Sequence, residues 1–165
     1  MAIGEEATHN MKETDCAYLA GLLDGEGNFS LVKHINKTTR GWNYQPTLGV
    51  SNTDVRLLEW CKTTTGCGGY WNKDYKNRNK NHKKPYAWHV YDMEDICEMV
   101  SAVIPHLKSK FQQALLLSEF CLIRLFQRDK WKRQRDDRGR FIKGKLPYNK
   151  RQHEIFRELK RINKR

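Results

Sequence analysis

A chain of 165 residues, 38% of them hydrophobic, is long enough to bury one main core. Its 31 Lys and Arg against 19 Asp and Glu leave a formal charge of +12, an excess that points to a polyanionic partner, nucleic acid before membrane. No apolar run reaches the roughly 20 residues of a membrane span, and MAIGEEATHN lacks the basic and apolar regions of a secretion signal.

Cys16, Cys61, Cys67, Cys97 and Cys121 form no Cys-x-x-Cys pair and join no paired histidines at zinc-finger spacing. We expect reduced thiols, four of them in the core, in an intracellular protein of a prokaryotic cytoplasm or an organelle. The charge is uneven. Residues 124–165 carry 17 basic and 5 acidic side chains and residues 33–84 carry 11 and 3, so basic regions lie in the centre and at the C-terminal end.

Residues 1–13 read as a flexible leader, 14–128 as the folded domain and 129–165 as a basic arm. Thr14 or Asp15 can cap a first helix that runs to about Asp24 and stops at Gly25 and Gly27. NFSLVKH (28–34) alternates like a half-buried strand. YQPTLGVSN (44–52) is a second strand, which Pro46, lacking a backbone donor, demotes locally to an edge or a bulge. VRLLEWCKTT, opened by Thr53 or Asp54, is a helix that ends in the turn Gly66 to Gly69. GYWNKDYK and PYAWHVYD read as two strands joined by the basic loop NRNKNHKK, and MEDICEMVSAVI follows as a helix. SKFQQALLLSEFCLIRLF (109–126) is a long amphipathic helix. The polar stretch after it is expected to build no core of its own, wrapping a partner or staying mobile, with a short helix in PYNKRQHEIFRELKRI. The order predicts an α+β fold, a four-stranded antiparallel sheet with helices on one face. The other face is expected to be polar, with Trp71, Tyr75, Tyr86, Trp88 and Val90 in the core.

The first helix ends in LAGLLDGEG. Carboxylates at the negative end of a helix dipole are electrostatically misplaced. At about 100° per residue, Tyr18, Leu19, Leu22 and Leu23 form a bulky face, while Ala17, Ala20, Gly21 and Asp24 form a small one suited to close approach by another helix. The simplest such partner is the same helix of a second subunit about a two-fold axis. Two copies of Asp24, Gly25 and Glu26 would then repel each other unless divalent cations joined them, with Glu26 and the Gly25 carbonyl as hard oxygen ligands. Beside a basic sheet, metals suggest phosphodiester hydrolysis. The same acids also suit a helix end that simply meets solvent.

LAGLLDGEG, preceded by Tyr18 and followed by Asn28 and Phe29, resembles the signature of the LAGLIDADG homing endonucleases, and the αββαββα order over roughly residues 15–125 is similar to their core. A single motif resembles the homodimeric branch, which cuts palindromic or nearly palindromic sites. The resemblance implies magnesium, with manganese as a substitute, held by Glu26 and the Gly25 carbonyl. It implies catalytic roles for Glu26, for Asn52 in organising water, and for Arg56 and Lys110 in stabilising charge, with Lys108 the rival of Lys110. Asp24 is implied to be structural, at the helix end and the interface. Asn52 can equally be a cap beside Thr53 and Asp54, and Arg56 an ordinary solvated charge.

A polar sheet suits the major groove, where base edges are unambiguous. Ser30, His34, Asn43, Gln45, Thr47, Asn72, Asp74, Lys76 and His89 are the candidates for base readout. Lys33, Lys37, Arg40, Arg78, Lys80, Lys83, Lys84 and the arm from Lys130 are expected to hold phosphates. The first expectation is therefore a homodimeric, magnesium-dependent, intron-encoded endonuclease making a staggered double-strand break with 3′ overhangs in a long pseudo-palindromic DNA site. The alternatives are a maturase that binds intron RNA on the same fold, and a non-cleaving DNA-binding regulator.

Overall fold

The computed structural model describes residues 11–35, 41–72, 84–132, 138–140 and 146–164. The elements run α1 (Glu13–Glu26), β1 (Gly27–Ile35), β2 (Trp42–Asn52), α2 (Val55–Thr65), β3 (Gly69–Asn72), β4 (Tyr86–Val90), α3 (Met93–Val103), α4 (Phe111–Lys132) and α5 (Lys150–Ile162). The strands form one antiparallel sheet in the order β1-β2-β4-β3, the α+β arrangement expected from the sequence.

Two helix ends follow from local chemistry. Asp54 caps α2 by accepting from the Arg56 amide at 3.0 Å, and Asp92 caps α3 by accepting from Glu94 at 3.0 Å and Asp95 at 3.2 Å. The expected caps of α1 are corrected: Thr14 and Asp15 lie inside the helix, and Lys12 precedes it without a side-chain cap. Gly25 does not end α1 either. The helix continues through Glu26, and β1 begins at once at Gly27, where an added Cβ would lie 2.5 Å from the Leu23 Cα. No longer side chain fits so tight a helix-to-strand junction.

Pro46 sits opposite Leu31 of β1, while β4 pairs with β2 only from Leu48 to Asn52. Pro46 is thus in a stretch that is an edge of the sheet, although β2 is central farther on, and its missing donor leaves the β4 ladder intact.

The helices bury one sheet face. Leu19 and Leu23 of α1, Phe29 of β1, Leu48 and Val50 of β2, Leu58 of α2, Trp88 and Val90 of β4, Ile96 and Met99 of α3, and Leu117 and Phe120 of α4 share one core. Trp88 satisfies its indole N–H by donating to the Cys67 carbonyl at 3.1 Å. Four of the five thiols are buried, and burial pushes Cys61 up to about 12 and Cys67 to about 11, which makes both inert as nucleophiles.

The expected separation of the C-terminal arm from the core is corrected for its last part. Ile155 and Leu159 of α5 are fully buried in the main core. Tyr44 of β2 meets the Phe156 ring at 4.6 Å, donates or accepts with His153 Nδ1 at 2.9 Å, and receives the Tyr148 hydroxyl at its own backbone amide across 2.9 Å, the amide donating. Asn163 donates to the Phe29 carbonyl at 2.9 Å, and Arg151 grips both Glu119 oxygens of α4 at 2.6 Å. Basic side chains of α5 remain outward, but its apolar stripe closes the core over β1 and β2. Among the described residues, no helix is long and apolar enough to cross a membrane.

Candidate metal and nucleic-acid site

The acids that close α1 separate into two roles. The Asp24 carboxylate turns toward the segment before α4 and accepts from the amides of Lys108 at 2.6 Å, Ser109 at 3.2 Å and Lys110 at 2.9 Å, and from the Ser109 hydroxyl at 3.1 Å. Burial alone would raise its pKa, but the amides of Lys108, Lys110 and Ser109 override that and hold the carboxyl below its ordinary range. Asp24 therefore anchors the segment that leads into α4, near the positive end of that helix dipole, which favours an anion.

Lys110 answers the misplaced charge at the end of α1. Its ammonium donates to the Leu23 carbonyl at 3.0 Å and the Gly27 carbonyl at 2.7 Å. Desolvation lowers its pKa, while the carboxylates of Asp24 and Glu26 act in the opposite direction. Of the two candidate lysines, Lys110 reaches the helix end; Lys108 supplies its backbone amide to Asp24 and its side chain is exposed.

Glu26 is exposed at the last residue of α1 and borders a concavity of about 410 Å³ on the open sheet face. Asn28, Ser30 and His34 of β1, Gln45 and Thr47 of β2, and His89 of β4 line the same hollow. The register explains the grouping: Ser30 faces Thr47, His34 faces Asn43 and Gly49 faces His89, so one pleat face gathers them. Asn28 donates to Ser30 at 3.2 Å. Lys33 has the opposite parity and lies 4.4 Å from the Trp42 ring centroid, around the β1 edge from this hollow.

The expected assignment of β3 is reversed. Trp71 pairs with Ala87 and Gly69 with His89, so Trp71 belongs to the open face, whereas Asn72 pairs with Tyr86 on the other side. Trp71 is 41% exposed and stacks on Tyr91 at 5.8 Å. Two consecutive aromatics, Tyr70 and Trp71, make the parity of this strand ambiguous in the sequence, and a one-residue slip exchanges every side chain between faces. Tyr91, also missed, continues the Ala87–His89 parity just beyond the end of β4. Lys37, Arg40, Asp74, Tyr75, Lys76, Arg78, Lys80 and Lys83 lie outside the described residues; Lys84 is exposed before β4.

Asn52 accepts from the Asp54 amide through Oδ1 at 2.9 Å, so the turn into α2 uses that oxygen. Arg56 makes a fork with Asp54, Nε to Oδ1 at 3.1 Å and Nη2 to Oδ2 at 2.8 Å, while its side chain stays 88% exposed. The carboxylate of Asp54 raises the Arg56 pKa, keeping the guanidinium charged. On α1, Ala17, Tyr18, Gly21 and Gly25 face outward, and a Cβ on either glycine would meet nothing within 4 Å. Ala20 is fully buried inside its own chain and does not belong to that small face, another correction.

Among the described residues there is no group of three or more His, Cys, Asp and Glu side chains able to hold a metal ion. One chain offers the Glu26 carboxylate and carbonyls of the last turn of α1, hard oxygens of the kind magnesium takes while it keeps water and substrate phosphate in its remaining positions. That donor set fits magnesium and does not suit a metal that needs nitrogen or sulfur.

No family model and no curated protein matches the sequence. Solved structures do match. The homing endonuclease I-CvuI in complex with the I-CreI target aligns with 17% identity and a TM-score of 0.55 over 90% of this chain and 96% of that one. The archaeal intron-encoded homing endonuclease I-Vdi141I, complexed with DNA, aligns with 15% identity and a TM-score of 0.55 over 93% and 99% of the two chains. The LAGLIDADG homing endonuclease I-SmaMI, bound to cleaved DNA, gives 16% identity and a TM-score of 0.59 over 88% of this chain but 42% of that one. With its four-stranded sheet, its acids at the end of α1 and these neighbours, the chain has the LAGLIDADG homing endonuclease fold.

Proposed function

We propose that the protein is a homing endonuclease that hydrolyses phosphodiester bonds in a long pseudo-palindromic DNA site as a homodimer, using magnesium. The observation that carries this reading is the position of Glu26, an exposed carboxylate at the rim of a polar sheet hollow in a chain whose fold neighbours include DNA complexes. The outward Ala17, Gly21 and Gly25 support close packing of α1 against a second copy, which would bring two Glu26 side chains together.

Glu26 and the Gly25 carbonyl would hold the magnesium, which when bound activates water and stabilises the leaving oxygen. Lys110, anchored on the Leu23 and Gly27 carbonyls, keeps positive charge beside Glu26 and screens the negative end of α1. Arg56, held in a defined orientation by Asp54, supplies an exposed guanidinium to phosphate. Asn28, Ser30, His34, Asn43, Gln45, Thr47 and His89 read base edges from the open face, and basic side chains around them hold the backbone.

The test exposes the protein to a library of pseudo-palindromic duplexes with magnesium, with calcium, and with Glu26→Gln in parallel. Discrete double-strand cuts in magnesium that disappear in the variant, while binding in calcium persists, are the expected result. Tight binding to a recovered site without cuts would reject the nuclease reading. A maturase is the second reading, favoured by the exposed Lys150, Lys160, Arg161 and Lys164 on and after α5; selective binding of intron RNA that survives Glu26→Gln would support it.

A further inference from the structure

Apart from Val32, the exposed apolar surface of the open sheet face gathers where three rings interlock. Trp71 and Tyr91, 41% and 38% exposed, stack with planes 12° apart. His89 stands edge-on to both, at 5.3 Å from Trp71 and 5.7 Å from Tyr91, and its Nδ1 lies 3.1 Å from the Tyr91 hydroxyl. The neighbouring strand makes room for this arrangement: an added Cβ at Gly49 would lie 2.1 Å from the His89 Cδ2. The cluster is built from β3, β4 and the residue just after β4 and is held in place before any partner arrives, so little side-chain entropy remains to be lost on binding.

His89 and Tyr91 line the hollow that Glu26 borders, so the rings continue the proposed DNA surface. In duplex DNA the base faces are covered by stacking, and a side chain on a sheet in the major groove meets only base edges. The apolar group on those edges is the C5-methyl of thymine. We propose that the Trp71–His89–Tyr91 cluster is a thymine-methyl subsite that sets specificity at one position in each half-site. This rests on the DNA-binding reading above and adds to it a base that polar side chains alone would not select.

The experiment first recovers duplexes bound by the full chain in calcium, then replaces each thymine singly with uracil, which removes one methyl and keeps every hydrogen-bonding group. Bound sites should carry thymine at a common position in each half-site, where uracil weakens binding about 3- to 5-fold, the loss expected for one buried methyl. In Trp71→Ala that penalty should vanish while penalties at other thymines remain. Tyr91→Phe, which keeps the ring, should retain it, and a melting curve for each variant shows that the comparison is between folded proteins. If uracil is tolerated at every position, or if the penalty persists in Trp71→Ala, the subsite is wrong while DNA binding stands. A uniform affinity loss in Trp71→Ala without a uracil penalty assigns the rings to the backbone and also overturns it. Failure of the unmodified protein to bind any duplex overturns both readings.

Discussion

Replacing Asp24 tests how the acids of α1 are divided. Asp24→Ala leaves the amides of Lys108, Ser109 and Lys110 without the acceptor that now lies 2.6–3.2 Å from each. A hydrogen bond to a charged group nets about 1.5–3 kcal/mol where water cannot replace it. The segment is largely exposed, so water replaces part of the bonding, and a loss of about 2 kcal/mol is expected. For a chain of this size that lowers Tm by roughly 4–8 °C. Asp24→Asn keeps one acceptor oxygen and should recover about half of the loss. Because the folded carboxyl is held below its ordinary range, its stabilisation is present above the unfolded pKa of about 3.9 and is lost as pH falls through the folded value. Thermal unfolding of the three proteins at pH 7 and in acid checks both parts: the gap between wild type and Asp24→Ala should be full at pH 7 and should close in acid. Identical melting at pH 7, or a gap that widens in acid, would refute this anchoring role.

Ile155→Ala should cost about 2–4 kcal/mol in denaturant unfolding, since the side chain is fully buried where α5 meets the core; a loss below about 0.5 kcal/mol would mean that α5 is not integrated. Gly49→Ala should cost about 1–3 kcal/mol, because its Cβ would overlap the His89 ring and approach the Trp88 carbonyl at 2.5 Å, and it should weaken DNA binding by displacing that ring. Lys110 has a pKa depressed by desolvation, so folding disfavours its ammonium, and stability should rise with pH between the folded value and the unfolded value near 10.4. Urea midpoints measured from pH 8 upward should show that rise in the wild type relative to Lys110→Met.

Local periodicity made the helices and the central strands legible. The alternation through Asn28, Ser30 and His34, the cap at Asp54, and the apolar spacing of α3 and α4 depend on neighbours within a turn or two, and such patterns survive in a linear string. The acids at the end of α1 were visible for the same reason, and so was their oddness against the helix dipole.

Tertiary structure decided what those local signals leave open. Asp24 holds a segment 84–86 residues away and Lys110 returns to the carbonyls of α1, contacts with no counterpart in local spacing. Trp71 and Asn72 could exchange faces because β3 is four residues long and its parity depends on pairing with β4. Ala20 looked small enough for an outer face, yet α1 has packed neighbours on more than one side. The last helix joined the core because Ile155 and Leu159 are buried in the same cluster as Phe29, Tyr44 and Phe120 and Phe156 stacks on Tyr44, although their own segment is dominated by charge. A sequence records which side chains are available at each step of a helix or strand; which of them meet is settled by register and by packing between distant elements, where one residue of slip reverses a face.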